Sequence, residues 1–268
     1  MANLHFAVSL QRLIPFFGYH HMLMILLAIV IVLNSISLAG CASYSTMTNI
    51  YVLGLSYSNS TSKRTTEGHD VLLDALNNLK GSAELEVRAG YFGMCVRQRG
   101  VVWLCSSDHN GLAQQIGFEN DPLNLIGAAA KFKNEVLFSG LLFIAVVLAF
   151  VTILLLATFP GWHEERDERT GSDIDIRPFP SRPVSQVALA ASFVAAAQLL
   201  IASLWQHVGS VGAAAMAESA NYGNIRTDIG VSAITMVWVA FTLQITVAIG
   251  LLVMVLSIII LDRLTDND

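Results

Sequence analysis

Charge is scarce in this sequence of 268 residues. Only 13% of the residues are Asp, Glu, Lys or Arg, whereas 54% are hydrophobic and the mean hydropathy is +0.59. Soluble domains usually carry about 25% charged residues, so this composition excludes an ordinary soluble enzyme and a disordered chain. The net charge of −5 also leaves no basic surface for nucleic acid. The sequence therefore predicts a membrane protein that binds neither DNA nor RNA.

The few charges leave four long apolar stretches between them. The first lies between Arg12 and Lys63, where no Asp, Glu, Lys or Arg occurs. A helix needs about 20 mainly apolar residues to cross a bilayer, and it satisfies its own backbone hydrogen bonds there. The predicted transmembrane helices are residues 22–40, 136–159, 184–208 and 231–261. Together they predict an all-α bundle of four transmembrane helices in the lipid bilayer.

Arginines near the span ends indicate the orientation of the chain. The connector at 160–183 contains four arginines, whereas the connector at 209–230 contains only Arg226. Loops rich in Lys and Arg usually remain in the cytoplasm. The predicted cytoplasmic parts are residues 1–21, 160–183 and 262–268, and the predicted extracellular parts are residues 41–135 and 209–230. We expect a multi-pass protein of the plasma membrane with both termini in the cytoplasm and with Asn59, which begins an Asn-Ser-Thr sequon, glycosylated outside.

The long connector at 41–135 has the pattern of a small extracellular β-sheet. Residues 49–57 and 84–88 have the composition and alternation of strands, and residues 69–79 have the spacing of a short amphipathic helix. Asp121, followed by a proline, predicts the N-cap of a further helix. That helix is expected to run unbroken through Leu123 to Phe159 and so to carry the second span outward as a post beneath the sheet.

Only three cysteines occur, and two of them flank a predicted turn. Cys95 and Cys105 lie on apolar runs separated by Gln98-Arg99-Gly100, whose glycine can adopt a positive φ, so the chain is expected to fold back as a hairpin. A disulfide across so short a loop stabilises by roughly 3 kcal/mol or slightly less. We predict a disulfide between Cys95 and Cys105 and a free Cys41. The alternative is two reduced, buried cysteines.

No catalytic motif is complete in the sequence, so we do not expect an enzyme. The candidate calcium ligands are acidic residues of the long loop. Asp108 and Glu119 have EF-hand spacing, but Leu112 and Ala113 stand where an oxygen ligand and the turn glycine are required. Asp108, Glu119 and Asp121 together could form a weak extracellular calcium site, and the alternative is a solvated acidic loop. No other cofactor is predicted.

The polar residues inside the spans are few and uncharged. They are Asn34, Gln198, Gln206, His207 and Gln244. Cation-selective pores commonly use rings of carboxylates, and no acidic residue lies within a span. Intramembrane amides more often form bonds between helices, worth on the order of 1 kcal/mol. The spans therefore favour a regulator or channel subunit, or a pore formed only by a homo-oligomer, over a channel made by one chain.

A short motif links the sequence to a known family. It is Gly90-Tyr91-Phe92-Gly93-Met94-Cys95, followed by Cys105. With four spans and a large first loop, it resembles the claudin-like tetraspan superfamily, although Phe92 stands where claudins carry tryptophan. The second glycine and the segment at 50–57 are more similar to the fungal low-affinity calcium uptake family, also described as calcium regulators and membrane fusion proteins induced during mating.

This resemblance implies a fungal plasma-membrane protein that regulates calcium influx and cell contact or membrane fusion during mating and development. The implied partners are further copies of the chain or the subunits of a calcium channel. The alternative is a claudin-like adhesion or membrane-organising protein with no role in ion transport.

Overall fold

The computed structural model describes residues 19–42, 45–58, 70–98, 100, 102–159, 163–166, 173–176 and 181–265. In chain order its helices are α1 (Tyr19–Ala39), α2 (Asp70–Lys80), α3 (His109–Ile116), α4 (Leu125–Lys131), α5 (Ser139–Ala157), α6 (Arg182–Ala220) and α7 (Val231–Thr265). Its strands are β1 (Leu53–Tyr57), β2 (Leu85–Ala89), β3 (Met94–Gln98), β4 (Leu104–Ser106), β5 (His163–Arg166), β6 (Asp173–Ile176) and β7 (Ile225–Ile229). A short 3-10 helix and a π-helical turn complete the elements, at Ser45–Met47 and Phe132–Val136.

Four of the helices, α1, α5, α6 and α7, are long and apolar enough to cross a membrane. The protein is therefore a multi-pass membrane protein, mostly helical, with a small sheet. The chain divides into two compact units, and each of these helices contributes residues to both. The first unit draws on Met1–Val32, Ile144–Gln198 and Val239–Asp268, and the second on Leu33–Phe143 and Leu199–Trp238.

The core of the first unit is built from aliphatic and small side chains. Its buried members come from all four long helices, with Phe159 just after α5, and are Leu23, Leu27, Ala149, Leu156, Phe159, Ala188, Val247 and Leu251. One polar contact joins two of the helices, because the Gln244 Nε2 donates to the Ser192 carbonyl oxygen at 3.2 Å and to its Oγ at 3.1 Å. The hairpin of β5 and β6 also lies in the chain segments of this unit.

The second unit contains a five-stranded antiparallel sheet in the order β4-β3-β2-β1-β7. The last strand comes from the connector between α6 and α7, so the sheet unites the two loops on the same side of the spans. Alternate residues of β2 are buried, and α4 packs against β1, β2 and β3. Buried residues of α4, including Leu125, Ile126 and Ala129, close the apolar face of the sheet.

Most elements of the long loop lie close to their predicted positions. The strand expected at 49–57 is shorter and starts at Leu53, and the helix expected at 69–79 is described from Asp70 to Lys80. The hairpin turn contains Gly100 at φ +71°, as the pattern Gln98-Arg99-Gly100 indicates.

The predicted unbroken helix from Leu123 to Phe159 is wrong. The helix α4 passes into the π-helical turn and ends at Leu137, which is extended at φ −80° and ψ 118°. The break leaves the Val136 carbonyl oxygen free to accept a hydrogen bond from the Trp205 Nε1 at 2.7 Å. Bonding to a side chain of another helix thus replaces continuation of the helix, with no proline or glycine at the break.

The predicted N-cap at Asp121 is also wrong. Asn124 is the N-cap of α4, in the left-handed region at φ 54°, and its Oδ1 accepts from the Gly127 amide at 3.1 Å. The Asp121 carboxylate still serves the start of this helix, because its two oxygens accept from the amides of Leu125 and Ile126 at 2.7 and 2.9 Å.

Candidate functional site

The glycines of the sequence motif lie in the turn between β2 and β3. The Gly90 amide donates to the Gly93 carbonyl oxygen at 2.9 Å and closes this turn. The turn rests on the chain just after α1. A Cβ added to Gly90 would lie 2.2 Å from the Gly40 carbonyl oxygen, and one added to Gly93 would lie 2.4 Å from the carbonyl oxygens of Cys41 and Ala42. Both positions therefore require glycine, because the backbone of the turn contacts the backbone after α1 and leaves no room for a side chain.

Conformational freedom does not explain these two glycines, since neither has a positive φ. A second pair of glycines repeats the same close approach. A Cβ on Gly40 would lie 2.3 Å from the Ile50 carbonyl oxygen, and one on Gly230 would lie 1.6 Å from that of Tyr51. The motif turn thus meets the backbone of residues 40–42, whereas the end of α1 and the start of α7 meet Ile50 and Tyr51, each at distances that only glycine allows.

The two aromatic residues of the motif have different surroundings. Tyr91 is buried, and its hydroxyl donates to the Gln206 Oε1 of α6 at 3.0 Å. Burial raises the pKa of Tyr91, so the phenol remains a neutral donor. Phe92 is 48% exposed at the tip of the turn. Tyr91 therefore ties the turn to a membrane helix, whereas Phe92 leaves a ring on the surface.

The motif cysteines form the disulfide between Cys95 and Cys105. They are directly opposite in the register of β3 and β4, so the bond joins the edge strand to the sheet. Cys41 is a free thiol, fully buried beneath Gly90. Its thiol contacts the Met47 and Thr48 carbonyl oxygens at about 4 Å, and burial raises its pKa to about 12. This thiol is therefore a packing group and an inert one.

A row of stacked charged and aromatic groups covers the polar face of the sheet. The Arg88 guanidinium lies between the rings of Tyr51 and Trp103, at 4.6 and 4.4 Å from their centroids. Arg97, on β3, lies 4.8 Å from the centroid of the Trp103 ring. Glu86 pairs with both arginines, at 2.9 Å to Arg88 and 2.5 Å to Arg97. Glu86 thus offsets one of the two positive charges of the row.

Tyr51 connects this row of side chains to Asp228 on β7. The Tyr51 ring contacts Gly54, whose lack of a side chain makes room for it, and its hydroxyl donates to the Asp228 carboxylate. Burial, with the nearby Asp228, raises the pKa of Tyr51 to about 12. This contact, together with the register of β1 and β7, fixes the second loop to the first.

Two of the three calcium candidates accept hydrogen bonds from backbone amides at the starts of helices. Asp121 is buried and accepts from the Tyr57 hydroxyl at 2.8 Å in addition to two amides of α4. Asp108 is the N-cap of α3, and its Oδ1 accepts from the Asn110 amide at 3.0 Å. Glu119 is exposed. Among the described residues no group of three or more His, Cys, Asp or Glu could hold a metal, so these three carboxylates do not form one. A solvated acidic loop does not describe them either, because Asp121 is buried.

Two of the four intramembrane amides, Gln206 and Gln244, form hydrogen bonds to other elements, whereas the Gln198 Oε1 is buried without a partner among the described residues. Gln206 bonds with Tyr91 and Gln244 with Ser192. Asn34 is fully buried, and its amide has no hydrogen-bond partner among the residues that the structure describes. His207 is exposed on α6. Of the other predicted sites, Asn59 lies outside the described residues.

The sequence did not indicate which stretch of backbone the motif glycines contact. The motif glycines indicate a close approach, but their partners at Gly40–Ala42 lie some fifty residues earlier and are contacted through carbonyl oxygens, which every residue has. The strand β7 was missed because its five residues fall in a connector that gives no pairing signal. A glycine directly before α7, Gly230, was the one local hint.

These features define a class: a four-span membrane protein in which two loops share one β-sheet. The first loop contains the disulfide and a glycine turn that contacts the end of α1. Comparison with protein families identifies the family within this class. The family described as Ca2+ regulator and membrane fusion protein Fig1 matches residues 73–257. The chain belongs to this family, which confirms the prediction made from the motif. A comparison with curated proteins gave no match.

Proposed function

We propose that this protein regulates calcium influx across the fungal plasma membrane and takes part in cell contact or membrane fusion during mating and development. The single observation that carries the proposal is the family match over residues 73–257, a family described by calcium regulation and membrane fusion. The match includes the motif turn, the disulfide, β7 and three of the four spanning helices.

The geometry supports a regulator more than a pore made by one chain. No carboxylate lies in the predicted spans, and Gln206 and Gln244 are engaged in packing contacts. The polar groups concentrate in the sheet, which is cross-linked to membrane helices by Tyr91 and by glycine contacts. A stiff sheet joined to the spans can transmit contact at the surface to a partner in the membrane. Catalysis forms no part of this proposal.

The proposed position puts the sheet outside the cell and both termini in the cytoplasm. Arginine-rich residues 160–183 support this orientation. The disulfide supports it too, because such bonds persist on the oxidising side of the membrane. Partners in this arrangement are calcium channel subunits or further copies of the chain.

The experiment compares two substitutions in one turn. Gly90→Val places a side chain against the Gly40 carbonyl oxygen, whereas Phe92→Val changes an exposed ring. In cells that lack the native protein, Phe92→Val should reach the surface like wild type, and Gly90→Val should not restore the calcium rise that accompanies cell contact. Normal calcium rise in cells without any copy of the protein would refute the proposal and leave the adhesion alternative.

A further inference from the structure

The helices α6 and α7 border a groove near the start of α6. Its volume is about 390 Å³. Each helix contributes residues at the spacing of a single helix face, from Gln186 to Phe193 on α6 and from Ile245 to Leu252 on α7. All of these residues belong to the first unit. The groove is therefore part of the membrane-spanning bundle and shares no residue with the glycine turn or the sheet.

The groove has about the depth of one leaflet. The hydrogen bond between Gln244 and Ser192 joins the two helices next to its inner end. From that bond, Gln186 lies about 9 Å away along α6 and Leu252 about 12 Å away along α7. Both lie in the same direction, because consecutive spans run oppositely. Half of the hydrocarbon core is about 15 Å thick, so the groove reaches from the edge of the span, at Gln186, to about the middle of the bilayer.

The lining matches an apolar molecule with a single polar group at one end. Among the described residues that line the groove, only Gln186 is polar, and Arg182 of the same helix is not one of them. The Gln186 amide can both donate and accept a hydrogen bond and carries no charge, which matches a hydroxyl. The short side chains of Ala190 and Ala248 leave room, whereas Phe193 and Ile249 project and are 63% and 56% exposed.

We propose that this groove binds a sterol of the surrounding membrane, with its hydroxyl at the Gln186 amide and its ring system over Ala190 and Ala248. The spans are surrounded by lipid, and plasma membranes are rich in sterol. A phospholipid would bring a charged phosphate to Gln186, and phosphate is bound most strongly by charged donors. Its flexible chains would also lose more freedom on binding than a rigid ring system does. This site goes beyond the proposed function and does not depend on calcium.

Photo-cross-linking tests the site on the whole protein, reconstituted in phosphatidylcholine liposomes that contain a photoreactive sterol. Ala190→Phe fills the groove from an exposed position, and Ala197→Phe is the matched control, because Ala197 is exposed on the same helix past Ser192. Labelling of Ala190→Phe should fall at least about tenfold, since a bulky ring occupies the space of the sterol, and Ala197→Phe should label like wild type. Equal labelling of the two variants, or competition by added phosphatidylcholine as strong as by unlabelled sterol, would overturn the proposal.

A second measurement asks whether the Gln186 amide recognises the hydroxyl. Unlabelled sterol and the same sterol with its hydroxyl acetylated compete with the photoreactive sterol for the wild-type protein. The acetylated sterol should compete at least about fivefold more weakly, because it cannot donate a hydrogen bond to the amide. In Gln186→Leu the two competitors should act alike. Equal competition on the wild-type protein would contradict the proposed position of the hydroxyl, whatever the effect of the protein on calcium.

Discussion

At the residue scale, the molecule depends on glycines that allow one backbone to touch another. Gly90 and Gly93 place the motif turn on the carbonyl oxygens after α1, and Gly230 places the start of α7 on Tyr51. A methyl group at any of these positions would have to displace backbone, which cannot rotate away as a side chain can. The turn at Gly90 and Gly93 is thus a packing contact between the sheet and the end of α1.

Gly93→Ala should destabilise the protein, because the added methyl meets two carbonyl oxygens. We expect a loss of roughly 1–3 kcal/mol, the usual cost of overpacking. Gly212→Ala is the control, since nothing described lies near its added Cβ, and alanine there should gain up to about 1 kcal/mol of helix propensity. Thermal unfolding in detergent measures both. A Gly93→Ala protein as stable as wild type would show that the turn does not contact the backbone after α1 as closely as described.

Asp121 is expected to stabilise the sheet by hydrogen bonds and without calcium. Asp121→Ala leaves the Tyr57 hydroxyl and the Leu125 and Ile126 amides without their acceptor, and we expect a loss of roughly 1–3 kcal/mol. Glu119→Ala, which changes an exposed carboxylate, should be close to neutral. Unfolding is measured with and without calcium. Stabilisation by calcium that disappears in Asp121→Ala would restore this residue as a calcium ligand.

At the element scale, the hairpin of β3 and β4 relies on its disulfide, because β4 has only three residues and forms the edge of the sheet. Replacing Cys95 and Cys105 together by serine should cost about 3 kcal/mol or slightly less. The spans should still insert, while the sheet becomes sensitive to protease and surface delivery falls. Limited proteolysis of membranes measures the sensitivity of the sheet, and the membrane-protected fragments show whether all four spans are still inserted. Resistance equal to wild type would mean that the sheet holds the edge strand unaided.

How much of the structure the sequence predicts also differs from element to element. The four long helices follow from apolar runs, and the hairpin follows from a glycine turn between two cysteines. The break at Leu137 could not be predicted, since it depends on the Trp205 indole of a distant helix. The pairing of β1 with β7 joins residues about 170 positions apart, and the alternation of a five-residue strand does not specify its partner.

At the scale of the whole molecule, the proposed orientation can be tested from both sides of the membrane. Glycosidase should shift the mobility of the wild-type protein and not that of Asn59→Gln. An epitope inserted near Gly171 should be reached by antibody only after cells are permeabilised, because residues 160–183 are proposed to be cytoplasmic. Labelling of that epitope on intact cells would reverse the orientation.

Calcium flux through the purified protein tests most directly whether it regulates calcium entry without conducting calcium as a single chain. The protein is reconstituted at about one copy per liposome, with a calcium dye inside, and an ionophore gives the full signal. We predict no calcium entry above that of empty liposomes, because the spans contain no carboxylate and Gln206 and Gln244 serve packing. Robust calcium entry that is lost in Asn34→Ala or Gln244→Ala would contradict this and show that the spans themselves conduct.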